Sequence, residues 1–261
     1  MGGNALFWGG EKNFSVKKIF WFLYFIYALL LFVATLIPVF LSALVASLSG
    51  DIRGGKGIYL VCRTWADVWF FCVGIRHRNI YESKPDPTDA CIYVANHIAY
   101  LDAALIVKVL RFPVRPLGKI EMTRIPLFGF VYRKTIVTVD RASASHRAES
   151  VRKLVKYLSH GISIFIFPEG TLNETGEVLK SFYDGAFRIA IETGRPIRPV
   201  LLLDSYDRMN YKSIFSLRPG RNRAVFLEPI SVAGLQASDV PALKEKVRNI
   251  METKLIAYKN K

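Results

Sequence analysis

Residues 91–102 read CIYVANHIAYLD and contain a change from one hydrophobic pattern to another. The stretch opens with a short apolar run, CIYVA, whose β-branched and aromatic side chains are typical of a strand buried on both faces. From residue 101 the apolar side chains follow helical spacing, which predicts a helix over 101–110. A buried strand that passes directly into a helix is the repeating unit of α/β domains.

The same alternation continues along the chain. Further apolar runs predict strands at 135–139, 162–167, 198–203 and 224–227. Helical patterns cover 146–160, 184–193 and 240–258, and a glycine ends each of the first two. The sequence therefore predicts an α/β fold with a mixed, mostly parallel sheet flanked by helices.

The N-terminal part of the chain has a different composition. Residues 19–49 are 31 consecutive positions without a charged side chain. About 20 apolar residues span a bilayer, so this run is long enough to cross once or to enter, bend and return. Pro38 favours a kink or a turn inside it. Positive charges stand on both sides of the run, which suits a helical hairpin inserted from one side at least as well as a full span.

A second apolar run, WADVWFFCVGI at 65–75, is too short to span a bilayer. Its aromatic residues fit an interfacial helix or a buried core helix equally well. A short basic, glycine-rich connector is expected before it, at 51–56. We therefore expect a membrane-associated element of two helices over 1–75, followed by an α/β domain over 76–261.

The charge of the chain points to a membrane surface. It has 36 Lys+Arg and 21 Asp+Glu, a net charge of +15, although 51% of its residues are hydrophobic. The positive excess fits attraction to an anionic leaflet. Nucleic acid is not an expected partner, because the cations are dispersed and no binding module is recognised. The three cysteines are odd in number and lack metal-ligand spacing, so they fit a reducing compartment and predict no metal site.

His97 and Asp102 are the first candidates for chemistry. The histidine leaves the strand at 91–95, and the aspartate follows five positions later at the start of the helix. A carboxylate that accepts the N–H of one ring nitrogen leaves the other nitrogen free to act as a general base. The spacing alone also fits a second interpretation, in which Asp102 caps its helix and His97 is structural.

A second polar turn, FPEGT at 167–171, follows another very apolar strand. Gly170 permits close backbone approach, and Glu169 offers an acceptor for a substrate hydroxyl or a backbone amide. An ordinary strand-ending turn is the alternative. The sequence has no G-x-S-x-G elbow, phosphate loop, G-x-G-x-x-G or HExxH motif. A histidine without an evident nucleophile favours activation of the substrate's own hydroxyl or amine, and so direct transfer.

Four ordered blocks over about residues 60–230 resemble those of the glycerolipid acyltransferases, and most of all the bacterial 1-acyl-sn-glycerol-3-phosphate acyltransferases. The blocks are Asn96-His97 with Asp102, Gly118-Lys119 with PLFG at 126–129, FPEGT at 167–171, and IRPV at 197–200. The resemblance implies that a fatty acyl group passes from acyl-CoA or an acyl carrier protein to the 2-hydroxyl of lysophosphatidic acid. The product would be phosphatidic acid for phospholipid biosynthesis, and no cofactor beyond the acyl donor is implied.

The resemblance also implies the setting and the roles of the site residues. A lysophospholipid and the bilayer would be partners, at the inner (cytoplasmic) membrane with the catalytic domain on the cytosolic side. His97 would be the general base and Asp102 its orienting partner, while Glu169 and Gly170 would bind the acceptor's glycerol part and Lys119 its phosphate. The candidates for substrate binding are Lys119, Glu169, Gly170, Thr171, Arg198 and Arg141.

One position departs from the pattern of the family. Its members usually carry an arginine after the EGT triplet, and here that position is Leu172. The change removes a bidentate phosphate ligand. Either Lys119, Arg141 or Arg198 supplies the charge, or the acceptor is a lysolipid without a phosphate monoester, such as a lyso-aminolipid. A non-catalytic membrane lipid-binding protein of the same fold is a further alternative.

Overall fold

The computed structural model describes residues 10–259. Its N-terminal part is a hairpin of two helices, α1 (Gly10–Ala46) and α2 (Gly50–Cys72), joined by a 3₁₀ turn at Ser47–Ser49. Three hydrogen bonds show that the helices are antiparallel, because the residue numbers rise along α1 while those of their partners fall. These bonds join Tyr24 to the carbonyl of Val73, Trp69 to the carbonyl of Ala28, and Trp65 to Thr35.

The hairpin corrects two details of the sequence interpretation. The helix α1 continues through Pro38, so the predicted turn lies instead at Ser47–Ser49. The connector expected at 51–56 is the first part of α2. Its glycines are required by close packing, because a Cβ on Gly55 would overlap the guanidinium of Arg115. Small residues let the helix approach its neighbour at this point.

Seven strands form one sheet. They are β1 (Ile75–Tyr81), β2 (Ile92–Ala95), β3 (Arg115–Lys119), β4 (Val137–Val139), β5 (Ile164–Ile166), β6 (Ile197–Leu202) and β7 (Gly220–Phe226). Their order is β1-β7-β6-β2-β5-β3-β4, and every neighbouring pair is parallel except β6 with β7. The predicted mixed, mostly parallel sheet is confirmed, with β2 at its centre.

The remaining helices cover the two faces of the sheet. They are α3 (Asp102–Val109), α4 (Phe128–Thr135), α5 (Ala144–Ser159), α6 (Gly185–Thr193), α7 (Ser205–Arg208) and α8 (Val240–Lys259). Alternate residues of β2 point to opposite faces, as the period of a strand requires. Tyr93 and Ala95 lie in the core shared with α1, α2 and α3, while Ile92 and Val94 lie in the core shared with α5, α6 and α8.

The hairpin is part of the packed structure. Trp65, Trp69 and Phe70 of α2 are buried in the same hydrophobic core as the sheet, so the second apolar run forms a core helix. The division of the chain between residues 75 and 76 stays a prediction. The sequence did not predict β1, β3 or α4, whose residues include many charged or polar side chains.

Candidate active site

The candidate site lies where the central strands end. Because β2, β5, β6, β3 and β4 run in the same direction, their carboxyl ends meet at one edge of the sheet. His97 follows β2 by two residues, and Glu169 follows β5 by three. In open α/β sheets this edge is where ligands bind.

His97 is held by Asp102. Its Nδ1 lies 2.9 Å from Asp102 Oδ2, and the histidine side chain is one-fifth exposed. The same Oδ2 accepts hydrogen bonds from the backbone N–H groups of Ile98 and Ala99, at 2.7 and 2.8 Å. Asp102 therefore organises the turn before α3 and orients the ring of His97 at the same time. Asp102 does not cap α3, because the N–H groups that it binds belong to residues before the helix. The role of His97 as a general base stays a prediction.

The geometry leaves one ring nitrogen for chemistry. With Nδ1 occupied by a buried carboxylate, Nε2 is the nitrogen that can receive a proton. The ring also stacks on Phe167, with ring centres 4.0 Å apart and planes inclined by 13°. The orientation of His97 is thus fixed from two sides.

Glu169 locks the backbone around the histidine. Its Oε1 accepts the N–H of His97 at 2.7 Å, and its Oε2 accepts the N–H of Lys180 at 2.9 Å. The side chain is fully buried, and this burial raises the pKa of the Glu169 carboxyl. The side chain therefore ties the ends of β2 and β5 to the segment around residue 180. Both contacts position the backbone. The contact with the acceptor's glycerol part that the resemblance implied stays a prediction.

Gly170 is needed for the shape of this turn. Its φ is +73°, and a Cβ there would lie 2.6 Å from the ring of Tyr183. A side chain at this position is disfavoured both by the backbone conformation and by this contact. Tyr183, 69% exposed, therefore lies directly over the EGT turn.

The predicted cations do not all lie at this edge. Lys119 ends β3, and Arg141 follows the neighbouring strand β4, so both stand at the same sheet edge as His97. Lys119 is 57% exposed and pairs with Glu121. Arg198, by contrast, is the second residue of β6 and lies toward the opposite end of that strand. It is buried and donates to the carbonyl of Ser83, so the structure does not bring it to the site.

Two residues near the dyad were missed in the sequence. Asn173 is buried, and its backbone N–H donates to the carbonyl of His97 at 2.7 Å. Lys180 donates from Nζ to the hydroxyl of Thr171 at 2.6 Å. Both lie in the segment after the EGT turn, where no spacing rule marked them. One feature of the sequence could have indicated Lys180: it is the first lysine or arginine after position 172.

Within the part of the chain that the structure describes, no group of three or more His, Cys, Asp or Glu side chains comes together that could hold a metal ion. The same residues place an oriented imidazole beside a buried carboxylate, with cations at the same sheet edge.

Comparisons with known proteins show the family of the chain. The model of the protein family described as Acyltransferase matches residues 75–203. The 1-acyl-sn-glycerol-3-phosphate acyltransferase of Escherichia coli (strain K12) is 32% identical over 176 residues, which cover 65% of this chain and 70% of that protein. The chain belongs to the glycerolipid acyltransferase family.

Other relatives extend the comparison. The 1-acyl-sn-glycerol-3-phosphate acyltransferase alpha of Mus musculus is 31% identical over 169 residues, 64% of this chain and 59% of that protein. The match thus spans about three-fifths of the length of the mouse, sheep and cattle relatives. The crystal structure of the 1-acyl-sn-glycerophosphate (LPA) acyltransferase from Thermotoga maritima has the same fold. Its TM-score is 0.72 at 20% identity, with 95% of this chain and 98% of that chain covered.

Proposed function

We propose that the protein transfers a fatty acyl group from an acyl thioester to the 2-hydroxyl of lysophosphatidic acid, which gives phosphatidic acid. The observation that carries the proposal is the His97–Asp102 pair at the end of the central strand, with Nε2 left to accept a proton. The names of the relatives support the acceptor. The donor is acyl-CoA or an acyl carrier protein, and no cofactor beyond it is required.

The reaction follows from the orientation of His97. Nε2 takes the proton of the acceptor hydroxyl while the hydroxyl oxygen attacks the thioester carbonyl carbon. The tetrahedral intermediate then expels the thiolate, which receives the proton from the imidazolium. The products are the new ester and the free thiol, so no proton or electron is gained or lost. Asp102 stabilises the imidazolium that forms between the two steps, because its carboxylate lies against Nδ1.

Direct transfer is favoured over a covalent acyl-enzyme. Among residues 16–259, no serine, threonine or cysteine side chain is hydrogen-bonded to His97. A nucleophile activated by a histidine needs to lie within hydrogen-bond reach of it. The hydroxyl that His97 activates therefore belongs to the acceptor.

The acceptor's phosphate needs a cation, which position 172 does not provide. We assign this role to Lys180, with Lys119 and Arg141 as further cations of the same sheet edge. Lys180 contacts the EGT turn twice, through its backbone N–H at Glu169 and through Nζ at Thr171. In the described part of the chain, no other lysine or arginine is hydrogen-bonded to residues 167–171. A phosphate bound there would exchange the Thr171 contact of Nζ for a charge-assisted hydrogen bond.

The hairpin holds the enzyme on the membrane in this proposal. The stretch Val16–Cys72 is long and apolar enough to cross a bilayer by length and composition, a test that core helices also pass. Large apolar side chains are exposed along α1, among them Leu30 at 65% and Val45 at 70%. A soluble protein rarely exposes so continuous an apolar surface. We place the protein at the cytoplasmic membrane with its catalytic domain on the cytosolic side, where free cysteines are stable.

A matrix of donors and acceptors tests the proposal. Labelled acyl-CoA and acyl carrier protein are each combined with lysophosphatidic acid, with 1-acylglycerol and with a lyso-aminolipid. We expect phosphatidic acid to be the main product. Transfer only to acceptors without phosphate would favour the second candidate, an aminolipid acyltransferase, for which Leu172 is the supporting observation. No transfer to any acceptor would favour a non-catalytic lipid-binding protein.

A further inference from the structure

A cavity of about 530 Å³ lies between the start of α1 and the segment 213–218, apart from the His97 site. Three cations line it, namely Lys17, Lys18 and Arg218. The rings of Trp21, Phe22 and Phe215 and the hydroxyl-bearing residues Ser213 and Ser216 also line it, and none of the lining residues among those that the structure describes carries a carboxylate. Cations beside hydroxyl groups are the chemistry that recognises a phosphate.

Arg218 is fixed in place at this cavity. Its guanidinium lies over the ring of Trp21, 4.0 Å from the ring centre. Nη1 donates to the carbonyls of Phe215 and Leu217. A cation stacked on an aromatic face keeps its charge and its remaining N–H donors. The side chain is therefore oriented before any ligand binds.

The opposite wall is also packed. Phe215 contacts Phe22 and Phe25 of α1, with ring centres 5.8 and 4.8 Å apart. These contacts join the segment 213–218 to the hairpin, so the cavity has walls from two separate parts of the chain. Because its walls are packed in this way, the cavity differs from an ordinary basic patch on the surface.

The cavity opens beside the apolar surface of α1. The neighbouring side chains Val16, Ile19 and Phe20 are 57–63% exposed. A basic end followed by exposed apolar residues is the arrangement expected at the boundary between lipid headgroups and acyl chains. A phosphate in this cavity would therefore have acyl chains beside it, which favours a lipid over a free phosphate ion.

We propose that this cavity binds the phosphate headgroup of an anionic membrane lipid. Arg218 and Lys17 bind the phosphate oxygens, and the chains of the lipid lie along α1. The chain just before the segment 213–218 also reaches the loop that follows His97, because Asn210 forms a β-bridge with Ala99. A lipid held in the cavity would thus fix how the catalytic edge faces the membrane.

Short-chain lipids test the binding, with Trp21 fluorescence as the signal. The full chain is titrated with dihexanoyl phosphatidylglycerol, dihexanoyl phosphatidylcholine and inorganic phosphate. We expect a saturable change with the anionic lipid that is lost in Trp21→Phe. Arg218→Gln and Lys17→Gln should each weaken it by about tenfold, the effect of one charge-assisted hydrogen bond.

Arg221→Gln is the matched control, since it removes an exposed positive charge three residues from Arg218. It should leave the affinity unchanged. An equal loss in Arg221→Gln, or an equal response to phosphatidylcholine, would show general attraction or apolar partition and would overturn the proposal. Inorganic phosphate binding as tightly as the lipid would overturn the choice of ligand. If Arg218→Gln does not fold, Lys17→Gln on the exposed helix surface carries the same test.

Discussion

The acidic side chains around His97 are buried and hydrogen-bonded, whereas the cations at the ends of β3 and β4 are exposed. Asp102 and Glu169 have no exposed surface, and together they accept five hydrogen bonds from the loop and ring of His97 and from Lys180. Lys119 is 57% exposed and is held by one acidic neighbour. In the proposed reaction the two groups have different tasks: the buried side chains orient the base, and the exposed cations bind the acceptor's charge.

In the proposed reaction, this difference accounts for Leu172 at the position of the usual arginine. The orientation of a base is set by several mutually dependent hydrogen bonds, so a single loss there disturbs the others. A phosphate can be bound by any lysine or arginine whose side chain is long enough to contact it. Lys180 is such a cation, on the other side of the same turn. We therefore expect substitutions in the buried part to change the rate, and substitutions among the cations to change the choice of acceptor.

Replacing His97 by alanine should have the largest effect. General-base catalysis contributes about 10²- to 10⁴-fold, so we expect transfer to lysophosphatidic acid to fall by about 10³-fold. The thermal unfolding temperature should fall modestly, because the stack on Phe167 and the hydrogen bond to Asp102 are lost while the backbone contacts of Asp102 remain. His160→Ala, at the exposed end of α5, serves as the control and should retain full activity.

Replacing Glu169 by alanine should have the second-largest effect on activity. The change leaves the N–H groups of His97 and Lys180 without an acceptor in a buried place, at a cost of about 1–3 kcal/mol each. We expect a fall in kcat of about 10²-fold, together with a lower unfolding temperature. Glu177→Ala in the same segment is exposed and should change neither. Full activity in Glu169→Ala would contradict the positioning role.

Replacing Lys180 by methionine should change the KM for lysophosphatidic acid and leave kcat unchanged. Loss of one phosphate ligand corresponds to a KM about tenfold higher, while the KM for 1-acylglycerol should stay the same. The backbone N–H that binds Glu169 remains in this variant, so the dyad is not disturbed. Lys180→Arg should restore the KM.

The Lys180→Met variant is compared with a control at another lysine. Lys153→Met removes an exposed lysine paired with Glu149 on α5 and should have no effect. If the wild-type protein acylates lysophosphatidic acid and Lys180→Met does so with an unchanged KM, the role assigned to Lys180 is wrong while the proposed reaction stands.

Replacing Phe167 by leucine should have the smallest effect. The stacked ring is worth about 0.5–1.5 kcal/mol, so we expect kcat to fall about fivefold. Phe182→Leu breaks a comparable stack with Phe187 that does not involve His97. If both variants lose activity equally, the contribution of Phe167 is general packing and not orientation of the ring.

Much of this site was predictable from sequence because its parts follow apolar strands. The runs at 91–95 and 162–167 contain β2 and β5, and the polar residues just after them meet at one edge because the strands are parallel. The strands β1 and β3 were missed because IRHRNIY and RPLGK lack apolar runs. Their places in the sheet depend on tertiary packing, which local propensity does not determine.

The bonds that fix the site were not predictable in the same way. Nothing in the sequence indicates that Glu169 accepts the N–H of His97, since the two residues are 72 positions apart. Arg198 was a candidate cation because it lies in the last of the four blocks, but its position at the beginning of β6 puts it away from the carboxyl edge. Strand direction, and not residue type, separates Arg198 from the site.

In the proposed reaction His97 and Asp102 activate the acceptor's own hydroxyl, and no acyl-enzyme forms. Rapid mixing of the protein with labelled acyl thioester, in the absence of acceptor, distinguishes this reaction from one that passes through an acyl-enzyme. We predict no burst of free thiol and no label on the protein, followed by rapid ester formation when lysophosphatidic acid is added. Release of one equivalent of thiol, with one equivalent of acyl label bound to the protein, would contradict the account.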